Sequence, residues 1–506
     1  MPKFIDRFLD HTTMYRLILY YLIFILVMAF FLSFFGVFSF NAFELLISVL
    51  FLIIIGLITN VIFAKTFQAP TNVESVYISA LILALIITPI HSIHDFWFLF
   101  WAAVWTMASK FIFATNKKHI FNPVAFAVFL TSIAISQSAS WWVGTLAMLP
   151  AVLLGGILIV RKIKKIDMVL SFLIVSIITV IITSLLKGTD PRMNLKEILL
   201  FSPWLFFAFV MLTEPLTTPP TKKLQIIYGA IIGFLFAPQI HLGSFYATPE
   251  ITLLLGNLFS YLVSPKERLI LKLKNKIKLN QSTYDFVFDN QKRINYQPGQ
   301  YMEWTLPHKE SDNRGNRRYF TLASSPTEND LKIGVKFYEA PSSFKKSLWA
   351  MDGKEEIAAS QLAGDFVLPK NPNQKLVFIA GGIGITPFRS MLKYLLDTGQ
   401  KRSIIVFYSN KTANEIVYTG VLNEAGKKLG IKTIYNLTDT NNIPNWWQGK
   451  IGFINESIIK QEAPDYKERI FYISGPPTMV AAYEKMLATM GVSKKQIKTD
   501  FFPGFA

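Results

Sequence analysis

Two segments near the end of the chain combine glycines with the start of a predicted helix. Residues 381–387, Gly-Gly-Ile-Gly-Ile-Thr-Pro, follow an apolar run and precede an amphipathic one. Glycines let a backbone turn sharply and approach a pyrophosphate, and a helix N-terminus favours negative charge. Residues 472–480, Tyr-Ile-Ser-Gly-Pro-Pro-Thr-Met-Val, repeat this strand–glycine–helix pattern. The two segments therefore predict a site for a pyrophosphate-bearing ligand at one sheet edge.

A third segment, residues 318–326, reads Arg-Tyr-Phe-Thr-Leu-Ala-Ser-Ser-Pro. The planar guanidinium of Arg318 suits a pyrophosphate, and an aromatic face suits a flat ring. In a strand, Arg318 and Phe320 point one way while Thr321 points the other. A helix predicted to start near Ser343 offers free amide groups as a second phosphate contact. Each feature alone is typical of an ordinary strand or cap, but together they predict a cofactor site.

The elements that must position these residues change at two places. From Leu269 the sequence alternates apolar and polar residues, which predicts strands with one solvated face and a small antiparallel β-barrel. After Gln374 it becomes strand–helix–strand, which predicts an α/β doubly wound domain. We therefore predict a multidomain chain in which residues 264–371 form the barrel domain and residues 372–506 the α/β domain.

The motifs of residues 264–506 resemble those of the ferredoxin–NADP reductase superfamily. The resemblance implies bound FAD and NAD(P)H as the substrate. It assigns FAD to Arg318, Phe320, Thr321, Ser324, Ser343 and, at the C-terminus, Phe505. It assigns the dinucleotide to Gly381, Gly382, Gly384, Thr386, Pro387, Gly475, Pro476 and Met479. It implies that Ser474 lines the nicotinamide, that Asp500 lies near the flavin, and that Thr321, Ser474 and Asp500 are the catalytic residues.

Two residues depart from that superfamily's pattern, and one choice stays open. Phe320 stands where the pattern has Tyr, which keeps the ring and loses a hydroxyl. Ser474 stands where the pattern has Cys, which leaves a small hydrogen-bonding group. Ser409 and Lys411 follow the next predicted strand and suit a 2′-phosphate, but a polar turn explains them equally well. NADH and NADPH therefore remain alternatives.

The first half of the chain has the composition of a membrane protein. Residues 1–263 contain 26 charged residues, against 58 in residues 264–506. We predict a polytopic α-helical membrane domain over residues 1–263 with ten helices. They fall at about residues 17–38, 41–63, 74–90, 96–114, 120–136, 141–160, 167–186, 197–213, 224–240 and 249–263. The net charge of +18 lies partly in the short loops between them and does not indicate nucleic-acid binding.

Loop charge predicts the orientation of this half. Alternate loops and the terminal flanks carry 14 Lys and Arg residues, and the opposite loops carry three. Because cationic loops stay in the cytoplasm, both termini and the second half are predicted to be cytoplasmic, with the first half in the cell's inner membrane.

Prolines suggest that the ten helices form two sets of five. Pro89 and Pro215 end predicted helices, Pro123 and Pro249 begin them, and the members of each pair are 126 residues apart. Five helices per copy would invert the second copy, as in folds that bind ligands at broken helices. Chance among the prolines of this half is the alternative interpretation.

Three further segments of this half carry a family resemblance: residues 118–126, residues 212–219, and residues 246–250 followed by 255–257. They resemble a membrane family that contains the B subunit of the sodium-translocating NADH:quinone reductase and the D subunit of the Rnf complex. The resemblance implies flavin within the bundle. Some members attach FMN to a Ser-Gly-Ala-Thr sequence, which this chain lacks, so we predict non-covalent FMN or riboflavin. Asn122 and Thr213, beside Pro123 and Pro215, are the candidate residues for it.

These predictions combine into an oxidoreductase that passes electrons from NAD(P)H through FAD into the membrane half. The acceptor would be a quinone or an extracytoplasmic molecule. The chain has no cysteine, so it cannot supply a Cys₄ iron–sulfur cluster, and no metal site is predicted. FAD must then approach the membrane cofactor, or a redox partner protein must bridge them. The alternatives are a membrane carrier regulated by the reductase half and a haem-containing ferric reductase, for which the few His residues are poorly placed.

Overall fold

The structure, a computed structural model, describes residues 12–67, 73–115, 118–243, 245–264, 268–290, 294–308, 312 and 315–500. It consists of two compact units, Met1–Arg268 and Leu269–Ala506. The first is built from helices, with two short β-hairpins among the described residues, and the second contains two six-stranded sheets.

Helices dominate the first unit, and each predicted apolar segment overlaps at least one of them. They are α1 Met14–Phe34, α2 Ala42–Thr66, α3 Val73–Ile86, α4 Ile93–Ile112, α5 Pro123–Ala134, α6 Leu149–Ile163, α7 Ile166–Leu186, α8 Pro191–Leu200, α9 Trp204–Met211, α10 Lys222–Leu235 and α11 Pro249–Val263. Residues Phe207–Met211 of α9 are π-helical.

The described helices differ in whether they are long enough to cross a bilayer. Three are long and apolar enough to do so, namely α1, α2 and α7. The pair α8 and α9, bent by 61°, makes a fourth if it is one broken span. Helices α3, α5 and α11 are apolar but shorter. The helical membrane-type unit is thus present, while the count of ten spans and the repeat remain predictions.

Helices α7 and α10 touch through their backbones. Gly229 and Gly233 of α10 are one turn apart. A Cβ at Gly229 would lie 2.3 Å from the Met168 carbonyl oxygen, and one at Gly233 would lie 2.6 Å from that of Phe172. Small residues four apart allow such close packing between membrane helices, where apolar burial contributes little to association. The two glycines therefore hold α10 against α7.

We expect Gly233→Val to destabilise the first unit by about 1 to 3 kcal/mol, because the added methyl groups collide with the backbone of α7. Thermal unfolding of the detergent-solubilised chain measures this. The control Ile227→Phe adds volume at a position of α10 that is 38% exposed and should change the midpoint little. Equal midpoints for the two variants would contradict the role of Gly233.

The first half of the second unit is an antiparallel sheet that closes on itself. Its strands are β1 Leu269–Lys278, β2 Thr283–Phe288, β3 Tyr301–Thr305, β4 Arg317–Thr321, β5 Leu331–Lys336 and β6 Glu356–Ala363, with helix α12 Ser343–Ala350 before β6. The order in space is β4-β3-β6-β1-β2-β5. The Ala323 amide donates to the Lys332 carbonyl at 2.8 Å and joins the two edges. The predicted barrel is confirmed.

The second half of this unit is an α/β domain with a parallel sheet. Its elements are β7 Leu376–Gly381, α13 Thr386–Thr398, β8 Ile404–Asn410, α14 Thr419–Leu429, β9 Lys432–Leu437, β10 Lys450–Ile451, α15 Glu456–Glu462, β11 Ile470–Ser474, α16 Pro477–Thr489 and β12 Ile497–Thr499. The order is β10-β9-β8-β7-β11-β12, all parallel. The strand order reverses between β7 and β11, which is where doubly wound sheets bind ligands.

Candidate functional site

The two glycine segments meet at the carboxyl ends of β7 and β11. Ala380 of β7 pairs with Ser474 of β11. A Cβ at Gly384 would lie 2.4 Å from the Ser474 carbonyl oxygen, and one at Gly381 would lie 2.3 Å from the Met479 sulfur. Glycine is thus required at Gly384, which meets backbone, whereas the Met479 side chain beside Gly381 can move, and the two glycine segments lie at one sheet edge.

The turn between β7 and α13 is shaped for a helix start. Gly382 has φ +53°, in the left-handed region that favours glycine, and a Cβ there would meet no neighbour within 4 Å. Thr386 donates its hydroxyl to the Ile383 carbonyl at 3.2 Å. Pro387 occupies the first turn of α13, where its missing N–H costs no hydrogen bond. The amides at this N-terminus suit a phosphate.

The side chains of Ser474 and Asp500 are in contact. The Ser474 hydroxyl donates to Asp500 Oδ2 at 3.1 Å, and the Asp500 amide donates to the Ile473 carbonyl at 2.9 Å. Gly475 and Pro476 continue from this point into α16. Phe505 lies outside the described residues. A hydroxyl and a carboxylate thus stand beside the glycine turns.

The strand β4 directs its side chains as predicted. Arg318 and Phe320 both face Phe344 of α12: the Arg318 guanidinium carbon is 5.2 Å from that ring's centroid and the Phe320 ring 6.0 Å. On the other face, the Tyr319 hydroxyl donates to Glu303 at 2.8 Å. Both Arg318 and Phe320 are buried, so the guanidinium is held at the start of α12.

The start of α12 already receives a carboxylate. The Ser343 amide donates to Asp312 Oδ2 at 2.9 Å, and the Asp312 amide donates to the Ser343 hydroxyl at 2.9 Å. The other Asp312 oxygen is 3.9 Å from Arg318 Nη2. An acidic group of the chain therefore stands between the two groups predicted to bind a pyrophosphate, which shows that this donor set suits an anion.

Thr321 and Ser324 differ in what their hydroxyls do. The Thr321 hydroxyl is buried and has no hydrogen-bond partner within the part of the chain that the structure describes. The Ser324 hydroxyl accepts hydrogen bonds from the Lys332 amide at 3.0 Å and the Tyr296 hydroxyl at 3.1 Å. Thr321 is thus available for a ligand such as FAD, whereas Ser324 helps to close the barrel.

Sequence reasoning missed the residues that join the barrel to the α/β domain. Arg389 of α13 forms an ion pair with Glu328 of the barrel, with Nη2 and Oε1 3.0 Å apart. Burial alone would raise the pKa of Glu328, but the hydrogen bonds and charge of Arg389 hold this pKa at about 2. The Tyr418 hydroxyl donates to Asp285, whose pKa is raised by burial. The partners lie far apart in sequence, so spacing gave no signal.

In the first unit, the segments around Pro123 and Pro215 are in contact. The Asn122 side-chain amide donates to Glu214 Oε2 at 2.9 Å. Asn122 Oδ1 also caps α5 by accepting from the Ala125 amide at 3.0 Å. The Thr213 hydroxyl donates within its own helical segment, to the Phe209 carbonyl at 2.7 Å. Asn122 thus both caps α5 and joins the two segments.

Further polar groups surround Glu214 and Asn122. Glu214 lies 3.2 Å from His119 Nε2 and accepts from the Thr217 hydroxyl at 3.0 Å. The Asn122 amide donates to Asn257 Oδ1 at 2.7 Å, and the Asn257 side chain donates to the Tyr228 hydroxyl at 3.1 Å. We call these residues the Glu214 cluster: His119, Asn122, Glu214, Thr217, Tyr228 and Asn257.

Comparison with known families finds a matching segment in each half of the chain. Residues 378–485 match the oxidoreductase NAD-binding domain family, and residues 143–268 match the NQR2, RnfD, RnfE family. The chain therefore joins a segment similar to a dinucleotide-binding oxidoreductase domain to a segment similar to a membrane family. Both predicted resemblances are confirmed.

Curated relatives match the second half. The glycine betaine monooxygenase reductase subunit of Pseudomonas aeruginosa is 24% identical over 234 residues, which is 45% of this chain and 63% of the relative. The propane 2-monooxygenase reductase component of Mycolicibacterium goodii is 29% identical, over 47% of this chain and 65% of the relative. The chain thus spans under two thirds of these relatives.

Solved structures also align with the second half. The cytochrome b5 reductase domain of Ulva prolifera nitrate reductase is 20% identical, covering 47% of this chain and 98% of that domain with a TM-score of 0.41. The FAD/NAD-binding domain of a Vibrio cholerae nitric oxide dioxygenase is 18% identical, covering 46% and 97% with a TM-score of 0.41.

We expect Gly384→Ala to weaken dinucleotide binding at least about tenfold, because the new methyl group would push the two glycine turns apart. Titration of the purified chain with NADH and NADPH measures this. The matched control Gly420→Ala, in α14, adds a methyl group that meets nothing within 4 Å. Unchanged affinity in Gly384→Ala would remove the turns from the dinucleotide site.

We expect Asp312→Ala to bind FAD more tightly, by roughly three- to tenfold, because its carboxylate competes with a pyrophosphate for Ser343 and Arg318. Fluorescence titration of the FAD-stripped chain measures this. The control Asp330→Ala removes a barrel carboxylate that pairs instead with Lys274. Weaker FAD binding in Asp312→Ala would mean that Asp312 supports the site rather than competing for it.

Proposed function

We propose that this chain is a membrane-bound NAD(P)H-dependent flavin oxidoreductase that passes electrons through FAD into a flavin-carrying membrane half. The terminal acceptor is a quinone or an extracytoplasmic molecule. The observation that carries the proposal is the union in one chain of the paired glycine turns of the second unit with a membrane-family segment. FAD, when bound, accepts a hydride and releases electrons singly, which nicotinamide does not readily do.

Different residues of the second unit would bind FAD, bind the dinucleotide and hold a proton. Arg318 and Ser343 hold the pyrophosphate of FAD, and the buried Thr321 hydroxyl bonds its ring. Gly381, Gly384 and the N-terminus of α13 receive the dinucleotide. The hydrogen-bonded pair of Ser474 and Asp500 would line the nicotinamide and hold a proton at the Ser474 hydroxyl. Phe320 and the C-terminal Phe505 would contribute aromatic faces.

The Glu214 cluster is the proposed location of the membrane cofactor. Asn122 and Glu214 present amide and carboxylate groups between α5 and the segment after α9. Polar groups inside a membrane unit are functional candidates because burying them is costly. Without a Ser-Gly-Ala-Thr attachment sequence, the flavin here, FMN or riboflavin, is held non-covalently.

The helix packing supports a repeat of five helices. In the first set of helices, α2 contacts α4, α1 contacts α3, and α4 contacts α5. In the second set, the corresponding contacts are those of α7 with α10, α6 with α9, and α10 with α11. Each of these three contacts in the first set corresponds to one in the second, as expected for two copies of one arrangement. We propose that the copies are inverted, with both termini of the chain on the cytoplasmic side of the inner membrane.

The test separates the two electron-transfer steps. In the full chain, Asn122→Ala with Thr213→Ala should leave NAD(P)H-dependent reduction of a soluble acceptor unchanged. Delivery to a quinone in vesicles should fall at least about tenfold, because the polar contacts that hold the membrane cofactor are lost. A fragment starting at about residue 266 is the control and should retain only the first reaction. Unchanged quinone reduction in the folded double variant would place the membrane cofactor elsewhere.

A further inference from the structure

Helix α13 connects the two parts of the proposed reaction site. It begins at Thr386, directly after the glycine turn, and Arg389 and Ser390 lie within its first two turns. Both residues are buried, with Ser390 fully inaccessible. Any ligand bound at the N-terminus of α13 therefore takes its position from what Arg389 and Ser390 contact.

Those contacts are made with the segment that follows β4, the strand proposed to bind FAD. Arg389 Nη1 donates to the Ala323 carbonyl at 2.9 Å, and the Ser390 hydroxyl donates to the Ser324 carbonyl at 2.6 Å. Ala323 and Ser324 follow β4 after one residue, and β4 carries Arg318, Phe320 and Thr321. Hydrogen bonds from two adjacent residues of α13 thus join the glycine turn proposed to bind the dinucleotide to the strand proposed to bind FAD.

The accepting segment is itself fixed in the barrel. The Ala323 amide donates to Lys332, and the Ser324 carbonyl accepts a second hydrogen bond from the Tyr296 hydroxyl at 2.9 Å. Glu328 pairs with Arg389 and also accepts from Lys332 Nζ at 2.8 Å. A charge-assisted, buried contact of this kind is stronger than a neutral one. The loop between β4 and β5 that accepts the hydrogen bonds of α13 is therefore itself held to the barrel by hydrogen bonds.

We propose that Arg389 and Ser390 are positioning residues that set the separation of bound dinucleotide and flavin, an inference that rests on the proposed function. In that reaction two electrons and one proton leave NAD(P)H as a hydride and enter the flavin, and NAD(P)⁺ departs. Such transfers need the reacting atoms about 3 to 3.5 Å apart. A small shift of α13 along the barrel changes this distance without removing any group that binds either ligand.

The alternative is that the contacts of Arg389 and Ser390 with the barrel only stabilise the fold. The two roles differ in what a variant changes. Loss of a purely stabilising contact lowers the unfolding temperature but leaves the folded molecules with normal rates. Loss of a positioning contact lowers the first-order rate of flavin reduction at saturating NAD(P)H while the affinity for NAD(P)H and the FAD content stay the same.

The experiment uses the full chain in detergent, loaded with FAD and mixed rapidly with NADH or NADPH. Arg389→Ala should keep its FAD content and bind the dinucleotide within about twofold of the unchanged chain. Its rate of flavin reduction should fall between about ten- and a hundredfold. The long-wavelength absorbance that arises when a nicotinamide stacks on a flavin should weaken. Arg389→Lys should recover part of the rate.

Two further variants keep the test decisive. Arg389→Met with Glu328→Gln removes the pair without leaving a buried charge and should show the same loss of rate if Arg389→Ala does not fold. Lys393→Ala, the control, removes an ion pair with Asp397 on the same helix and should leave the rate unchanged. Normal rates in folded Arg389 variants would overturn the positioning role. Failure of the unchanged chain to bind FAD or oxidise NAD(P)H would instead overturn the proposed function.

Discussion

The parallel pairing of β7 with β11 is the constraint on which the second unit depends. Successive strands lie to one side of β7 until β11 crosses to the other. Helix α13 packs on one face of the sheet through Phe388 and Met391, and α16 packs on the opposite face through Val480 and Tyr483. The carboxyl ends of the two strands consequently leave a crevice between helices, and the N-terminus of α13 opens into it.

Sequence predicted this crevice because its determinants are local. Glycine is recognisable wherever a backbone must turn or approach another backbone closely, and alternation or continuity of apolar residues distinguishes the barrel from the parallel sheet. The contacts between the barrel and the α/β domain could not be predicted from local sequence patterns. Glu328 and Arg389 are 61 residues apart. Each looks like an ordinary surface residue until the fold brings it to its partner.

In the first unit, hydropathy located the helices but not where each one ends. An apolar segment predicts a span, yet α3 has 14 residues and α5 has 12, against about 20 needed to cross a bilayer. Carbonyls at the end of α3 are satisfied by a distant residue: the Trp142 indole donates to the carbonyls of Ala84 and Ile87, both at 3.0 Å. A contact over more than 50 residues cannot be inferred from the apolarity of the segment itself.

Short helices and buried polar side chains in this unit are consequences of each other. A helix that stops inside an apolar unit leaves backbone groups without partners, and these groups need hydrogen bonds where water is absent. Asn122 meets this need at the start of α5, and Trp142 does so at the end of α3. The same side chains then require partners of their own, which is why Asn122 also contacts Glu214 and Asn257. A ligand with hydrogen-bonding edges can join such a network by exchanging one partner for another, whereas a continuous apolar bundle would have to bury new polar groups to admit it.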